Sequence, residues 1–581
     1  MRGIRSVIGD RITVAMKVMG APEGADAMVV PASRPEFGDY QVNGIMSVAK
    51  KLGENPREFA QGVVDTVKLS DVAETVDIAG PGFINIRLRL GWLNKFVNDF
   101  SDDPRLGVDL VSESSKVVID YSHPNLAKEM HVGHLRSTVI GDTLARILDF
   151  CGHEVIRHNH VGDWGTQFGM LIAYLDRLSK SGQDSVSELE DLEEFYQASR
   201  RLFDNDESFA NIAREYVVKL QAGDEDIRAV WKRFVEASLQ HCEQVYRRLD
   251  VTLRREDVRA ESTYNDDLPN ILEHLRKKDL LRESDGAQCV FLEEFKNKEG
   301  EITPVIVQKS DGGYLYATTD LAAIRYRSKV LGASRLLYIV DARQSLHLRQ
   351  VFGVSRAAGL VQDSCSLEHH SFGTMLGNDG KPFKTRTGGT IKLMDLLREA
   401  EERAFNLVGE KNPELSESER REISKVIGTG SVKYADLSLN RTTDYVFSWD
   451  NMLSLEGNTA PYLLYSYARI NSIFRRAKVT DDHLDRLSEP IILSDPTERA
   501  LAVKFIQLNE VVHTVAKECF PNILCNYIYE LSELFMKFYE RCPVLKADDE
   551  TRISRLQLCR LTSKVLKTGL GLLGIGTVRR M

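Results

Sequence analysis

From Lys116 onward the chain alternates between strand and helix patterns, and no other feature restricts its fold so strongly. The β-rich run "VVID" is followed by a helical pattern over about 133–150, a strand "EVIRHNHV" and a second helix from about Gln167. Strand, helix, strand is the signature of a βαβ unit in a parallel sheet. The stretch from about 179 to 255 is charged and helical and reads as an insertion. Strand-like runs return at "VFLEEF", "ITPVIVQK" and "RLLYIV", so the sheet is expected to resume there. Ahead of the alternation, helical patterns, the glycine-rich "RPEFGDYQVNG" and the strand-like "GPGFINIRL" read as a small α+β unit, joined on by "SDDPRLGVDL". From about Pro461 the chain is helical to its end, without repeats or low-complexity tracts.

Several domains are expected, because 581 residues exceed what one core usually holds, and a hydrophobic content of 43% can fill them. A net charge of -9 and a pI near 5.9 argue against a protein that coats nucleic acid nonspecifically, so a polyanion partner would need a local patch. The eight cysteines are scattered, with no CxxC and no Cys/His cluster at zinc spacing. Reduced thiols in a cytosolic setting and no structural metal are expected. Near the N-terminus Ile4, Val7, Ile8, Ile12, Ala15, Met16 and Met19 fall at helical spacing, while Asp10 and Arg11 interrupt any signal-like apolar run. No run approaches the ~20 apolar residues of a membrane span, so the expected location is the cytoplasm, away from any membrane.

"SHPNLAKEMHVGHLRST", residues 122–138, connects the first strand of the alternation to its helix. In open α/β sheets ligands sit outside the carboxyl ends of the strands, and a helix start there offers free N–H groups to an anion. Phosphate is the obvious candidate. His131 and His134 share one face at the helix start, and Gly133 removes a side chain where a flat ring could approach. Two imidazole donors aimed at a phosphate would stabilise charge that develops during transfer. The alternative is that these histidines cap and pack.

The same residues carry a resemblance. "HVGH" resembles the HIGH signature of class I aminoacyl-tRNA synthetases, and "VVIDYSHPNLAKEMHVGHLRSTVIGD" resembles the bacterial-type arginyl-tRNA synthetase family in particular. "HVGDWGTQFGMLI", "GYLYATTDLAAIRYR", "FGDYQVNG" and "GNTAPYLLYSYARI" are similar to further motifs of that family, so the likeness covers nearly the whole chain. It implies an α/β protein with a Rossmann-type parallel-sheet catalytic domain, an α+β N-terminal domain and an all-α C-terminal anticodon-binding domain. The corresponding boundaries are 1–110 for the N-terminal tRNA-binding domain, 111–178 and 260–395 for the two catalytic halves, 179–259 for a connective insertion, 396–456 for a linking helical region and 457–581 for the anticodon-binding domain. The implied reaction is ATP-dependent activation of L-arginine to arginyl-adenylate, then transfer to the terminal adenosine of tRNA(Arg), with adenylate formation requiring bound tRNA. ATP would enter with Mg2+ as a substrate complex, with no tightly bound cofactor, and a monomer is expected.

The family's mobile KMSKS loop has its counterpart in "GNDGKPFKTRTGGT", residues 377–390, where Lys381, Lys384 and Arg386 sit among glycines. Which lysine takes the motif's second lysine position stays open. A flexible cationic loop suits departure of pyrophosphate, though Asn378-Asp379-Gly380 also signals a plain surface hairpin. By resemblance, Lys128 makes up for a missing loop lysine. In "GDWGTQFG", Gly162 and Gly165 permit close backbone approach, and Trp164 and Gln167 are placed at the adenosine or acceptor-end pocket, a plain chain reversal being the alternative.

A guanidinium carries five donors, so a selective pocket needs carboxylates and an aromatic or carbonyl wall. Asp120, at the carboxyl end of the first strand, and Asp320, opening the helix "LAAIRYR", are the candidates. For Asp320 a helix N-cap is an equal reading. By resemblance Asn125 and Gln344 hold the amino-acid end or orient the carboxylates, Tyr316 flanks the guanidinium, and His123 joins the arginine site. After Glu550 no acidic residue occurs, whereas Arg552, Arg555, Arg560, Lys564, Lys567, Arg579 and Arg580 are basic. With Tyr462, Tyr465, Tyr467, Phe535 and Tyr539 nearby, this face fits single-stranded loop recognition through Arg560, Lys564 and Lys567, the alternatives being a solvated face and core aromatics. Two rival functions are an adenylyltransferase of the same nucleotide-binding superfamily, which would be shorter and lack the helical end, and a catalytically silent tRNA-binding paralogue. Intact His131, His134 and Asp120 and the cationic loop speak against the second.

Overall fold

The computed structural model describes residues 3–181, 192–383, 391–480 and 489–581. Two units are distinguished: one comprises Met1–Val111, Ser454–Leu572 and Gly576–Met581, the other Ser112–Leu453 with Leu573–Ile575. Among the described residues no helix is long and apolar enough to cross a membrane.

In the first unit the helix Ile4–Val18 buries Ile4, Ile8, Ile12, Ala15 and Met16, the stripe that its 3.6-residue spacing anticipates. It accompanies an antiparallel sheet of β1 (Val29–Pro31), β2 (Tyr40–Val42), β3 (Ala73–Ala79) and β4 (Phe83–Leu88), in the order β1-β2-β4-β3. The same unit holds the helices Ala460–Ala477, Pro496–Glu518, Asn522–Arg541 and Asp549–Leu572. Thr459 and Asp495 cap the first two, each with a proline in the first turn where its missing N–H costs nothing. Arg499 forks onto Asp39 at 2.8 and 2.6 Å, and Phe505 stacks on Phe100, fastening the two parts of this unit together.

The second unit contains β5 (Lys116–Asp120), β6 (Glu154–His158), β7 (Leu281–Ser284), β8 (Ala287–Val290), β9 (Val305–Gln308), β10 (Arg335–Tyr338) and β11 (Ser366–His369). Its main sheet is wholly parallel, in the order β11-β10-β5-β6. Val117, Val118 and Ile119 of β5 are all buried, as in a strand covered on both faces. The helix Leu135–Cys151 carries the chain from β5 back to β6. It lies so close that a Cβ on Gly141 would stand 2.3 Å from the Tyr121 side chain. The stretch between the sheet's halves carries the helices Leu192–Asn205, Glu207–Ala222 and Glu225–Arg248.

The return of the sheet differs from the sequence expectation. Only "RLLYIV" rejoins it, as β10, whereas "VFLEEF" contributes just Val290 and "ITPVIVQK" gives β9 of a separate antiparallel sheet, β7-β8-β9. The reason is local: β7 and β8 are joined by Asp285-Gly286, both at positive φ, the two-residue turn that folds a chain back antiparallel. The fourth parallel strand, β11, is the half-buried "SLEH", which lacks an apolar run and so gave no signal.

Lys433, in the helix Glu417–Leu437, is fully buried and donates to Leu249 O and Gly574 O, each at 2.6 Å. Replacing it with Met leaves both carbonyls without a donor, at about 1–3 kcal/mol each. Lys433→Met is expected to lower the denaturant midpoint accordingly, and an unchanged midpoint would show that these carbonyls find water instead.

Candidate active site

At Asp120 β5 ends, and the chain reverses through two successive left-handed residues, Ser122 (φ 80°) and His123 (φ 52°). Such backbone costs a non-glycine residue about 1–3 kcal/mol and persists only where its surroundings enforce it. Here Ser122 N–H donates to Ser137 Oγ at 2.9 Å, and Ser137 Oγ donates to Ile339 O at 2.6 Å. The reversal brings His123 Nε2 to 3.0 Å from Asp120 Oδ1.

The two signature histidines occupy a single 3-10 turn ahead of the helix Leu135–Cys151. His131 Nδ1 accepts the Gly133 N–H and His134 Nδ1 accepts the His131 N–H, both at 3.1 Å. A nitrogen that accepts carries no proton, so each neutral ring keeps its proton on Nε2. Burial, helped by the Lys128 charge, pushes His131 down to about 4; burial, with His131 and Lys128 adding to it, pushes His134 down to about 3. Near neutral pH both rings are uncharged, 4.0 Å apart, and each keeps an Nε2–H donor at a helix start, where the dipole also favours an anion. A Cβ on Gly133 would stand 2.8 Å from the His131 ring, so the flat ring that this glycine admits here is His131's own.

Beside them opens a cavity of about 500 Å³ at the carboxyl ends of β5 and β10, lined by four carboxylates: Asp120, Glu261, Asp320 and Asp341. Three have cationic or imidazole partners. Asp120 Oδ2 lies 2.7 Å from Arg327 Nη2; burial opposes its charge, but Arg327 and the neighbouring histidines hold its carboxyl well below the usual range. Asp320 meets His347 Nε2 at 2.6 Å, and Asp341 receives the Arg343 fork at 2.8 and 2.7 Å. Glu261 has no cationic partner among the described residues. Burial, with Asp163 and Asp320 nearby, pushes its carboxyl up to about 8.

Tyr316 and Gln344 line the same cavity, Tyr316 70% exposed at the first position of the helix Tyr316–Arg325. That helix starts four residues before Asp320, after Leu315, so Asp320 is not its N-cap and the capping reading is corrected. Asn125 does not line the cavity; it pairs with Gly162 along the backbone, and its Oδ1 accepts the Ala127 N–H at 3.2 Å. Gln167 sits in the first turn of the helix Thr166–Lys180 with its Oε1 buried and without a hydrogen-bond partner among the described residues. The Lys128 ammonium lies 5.6 Å from the centre of the Tyr196 ring. Lys381 is exposed in a tight reversal closed by Gly377 N–H to Lys381 O at 2.7 Å, and Lys384 and Arg386 lie outside the described residues. Arg560, Lys564 and Lys567 are carried by the helix Asp549–Leu572 of the other unit, Lys567 exposed; Tyr465 is 40% exposed, whereas Tyr467 and Phe535 are core. Glu261, His160, Arg327, Asp341 and His347 were not singled out in the sequence. Arg327 stands in the quoted "LAAIRYR" with no role read for it; a wider π turn over Tyr326–Val330 carries it, and it is buried.

The chain matches three family models: "tRNA synthetases class I (R), catalytic domain" over residues 100–449, "DALR anticodon binding domain" over 463–581 and "Arginyl tRNA synthetase N terminal domain" over 5–88. It is 56% identical over 579 residues to the arginine–tRNA ligase of Hahella chejuensis and 56% identical over 578 residues to that of a Marinomonas species, with all of each chain covered. Among solved structures, the arginyl-tRNA synthetase of Plasmodium falciparum superposes with a TM-score of 0.85 at 30% identity over the whole of both chains. The arginyl-tRNA synthetase of Thermus thermophilus gives 0.82 at 23% identity over 99% of this chain and all of its own, a likeness of fold.

Asp120→Asn leaves the Arg327 guanidinium buried beside a neutral amide. Removing one partner of such a pair costs about 3–5 kcal/mol, so this variant is expected to unfold at markedly lower denaturant concentration than the wild type. Equal stability would mean that Arg327 does not depend on this carboxylate.

Proposed function

Because the chain belongs to the arginyl-tRNA synthetases, we propose a role for each group around the cavity in the reaction of that family, the ATP-dependent activation of L-arginine and its transfer to tRNA(Arg). In the first step an oxygen of the arginine carboxylate attacks the α-phosphorus of ATP, and the bond to the bridging oxygen breaks with release of pyrophosphate. In the second, a ribose hydroxyl of the terminal adenosine attacks the carbonyl carbon and AMP leaves.

His131 and His134 act through their Nε2–H groups on the phosphates, as neutral donors that need no proton transfer to be ready. Gly133 and Gln167 belong to the nucleotide side, and Lys128, Lys381 and Lys384 supply the positive charge; ATP arrives as its Mg2+ complex. The observation that carries the arginine side is the uncompensated Glu261 in a cavity whose other three carboxylates are matched. A guanidinium there meets Glu261 and Asp320 with Tyr316 as a wall, while Gln344 takes the amino-acid end. Asp120 and His123 serve by keeping Arg327 and the turn in place, and Asn125 by holding the turn to Gly162. The helix Asp549–Leu572 offers Arg560, Lys564 and Lys567 to the tRNA. We read the domains as 1–110, 111–178 with 260–395, 179–259, 396–456 and 457–581, and the protein as a cytoplasmic monomer whose activation step needs bound tRNA.

ATP–pyrophosphate exchange, run with each amino acid in the presence and absence of total tRNA, tests this. Arginine alone should support exchange, and only with tRNA. Asp320→Asn should raise the arginine KM at least about tenfold at unchanged ATP KM, since a hydrogen bond to a charged group contributes about 1.5–3 kcal/mol. His131→Ala or His134→Ala should lower kcat by roughly a hundredfold with the arginine KM nearly constant. Wild-type turnover in a folded double histidine variant, or unaltered arginine kinetics in Asp320→Asn, would overturn the corresponding assignment.

A further inference from the structure

Glu225–Arg248, the last helix of the insertion, is highly charged and lies outside the sheet, yet one of its faces follows the loops that build the cavity. Trp231 Nε1 donates to Asp163 O at 2.7 Å, Ser238 Oγ donates to Leu126 O, and Tyr246 Oη lies 2.8 Å from Ser122 Oγ. Steps of seven and then eight residues keep all three on one side of a helix. Of their three partners Ser122 is the one that lines the cavity. Asn159, the residue after β6, donates from Nδ2 to Tyr246 Oη at 3.0 Å, which leaves the phenolic proton for Ser122 Oγ. One oxygen thus joins the residue that follows β6 to the first left-handed residue after β5, and Tyr246, Ser122 and Asn159 are all buried.

What depends on this spacing is the floor of the cavity. His123, next in the chain after Ser122, meets Asp120 Oδ1 at 3.0 Å, and His160, next after Asn159, gives its N–H to the same oxygen at 3.3 Å. We propose that Tyr246 is a positioning residue for the arginine site: its hydroxyl holds the ends of β5 and β6 at the separation at which the cavity accepts its cationic substrate. The proposal rests on the reading of this cavity as the arginine pocket. It gives the insertion a part in amino-acid recognition that its polar, solvated sequence does not suggest, and it separates Tyr246 from a ring that merely packs, because a packing role survives the loss of one oxygen.

The test uses the full chain with tRNA present and measures the arginine KM, ATP KM, kcat and thermal midpoint of Tyr246→Phe, Ser122→Ala, the double variant and Asp320→Asn. Tyr246→Phe and Ser122→Ala should each raise the arginine KM roughly tenfold, as the loss of the buried bond they share allows, with the ATP KM within about twofold of wild type. The double variant should fall well short of the product of the two single effects, since both remove the bond between Tyr246 and Ser122, while Tyr246→Phe also loses Asn159 and Ser122→Ala also loses Thr138. A wild-type arginine KM in folded Tyr246→Phe, or effects that multiply in the double variant, would overturn the proposal. If Tyr246→Phe does not fold, Ser122→Ala decides alone: a wild-type arginine KM there is equally fatal. Loss of arginine use in Asp320→Asn beside an unaffected Tyr246→Phe would remove the positioning role and leave the pocket standing, whereas two unaffected variants would remove both.

Discussion

One guanidinium gathers the carboxyl ends of three neighbouring strands. Asp120, His158 and Tyr338 are the last residues of β5, β6 and β10 and lie in register across the sheet. Arg327 ion-pairs with the first at 2.7 Å, donates from Nε to His158 Nδ1 at 3.0 Å, and stands 5.1 Å from the centre of the Tyr338 ring. The connection after β10 leads to β11 on one side and that after β5 to β6 on the other, and a crevice opens outside the carboxyl ends at such a point. Behind it a buried arginine, its charge met by Asp120, ties together the strand ends that line that crevice. Its consequence for the ligand is direct: the strand-end carboxylate is engaged by the chain's own guanidinium, so the carboxyl groups open to a substrate are Glu261 and Asp320.

This division explains why two chemically opposite ligands can share one edge. On the phosphate side the donors are neutral imidazoles, both locked through Nδ1 by one turn, which leaves Nε2–H to donate, and kept uncharged by burial. On the amino-acid side the carboxylates are matched one by one until a single uncompensated group remains. Neither side relies on long-range charge, which fits a chain of net charge -9 that must still receive a polyanion.

The fold was legible in the sequence where periodicity and turn chemistry agreed. "VVID", the helix behind the histidines and the N-terminal stripe of isoleucines fall where their spacing places them, the strand read over "EVIRHNHV" ends at His158, and the quoted motifs carry the family. The later strands were not told apart by their patterns: "ITPVIVQK" and "RLLYIV" both read as strands, and the Asp285-Gly286 turn places the first in a hairpin sheet. At the site, His131, His134, Gly133, His123, Asp120, Tyr316, Asp320 and Gln344 are brought to one place. The partners were hidden. Nothing in the sequence marks Arg327 as buried, although a π turn carries it into the core, Glu261 has no motif of its own, and the Tyr246 hydroxyl comes from a helix read only as charged.

The claim on which this account turns is that Glu261 is the charge left for the substrate. Its carboxyl, pushed up to about 8 by burial and by the carboxylates beside it, is mostly protonated at pH 7 in the empty cavity, and an arriving guanidinium favours the ionised form. Arginine binding should therefore expel a proton near neutral pH and cease to do so well above pH 8, where the group is already ionised. Calorimetric titration of arginine into the full chain at pH 7, in buffers of different ionisation heats, measures this directly. The predicted result is release of close to about one proton per arginine bound in the wild type and none in Glu261→Gln; arginine binding by the wild type without net proton release would contradict it.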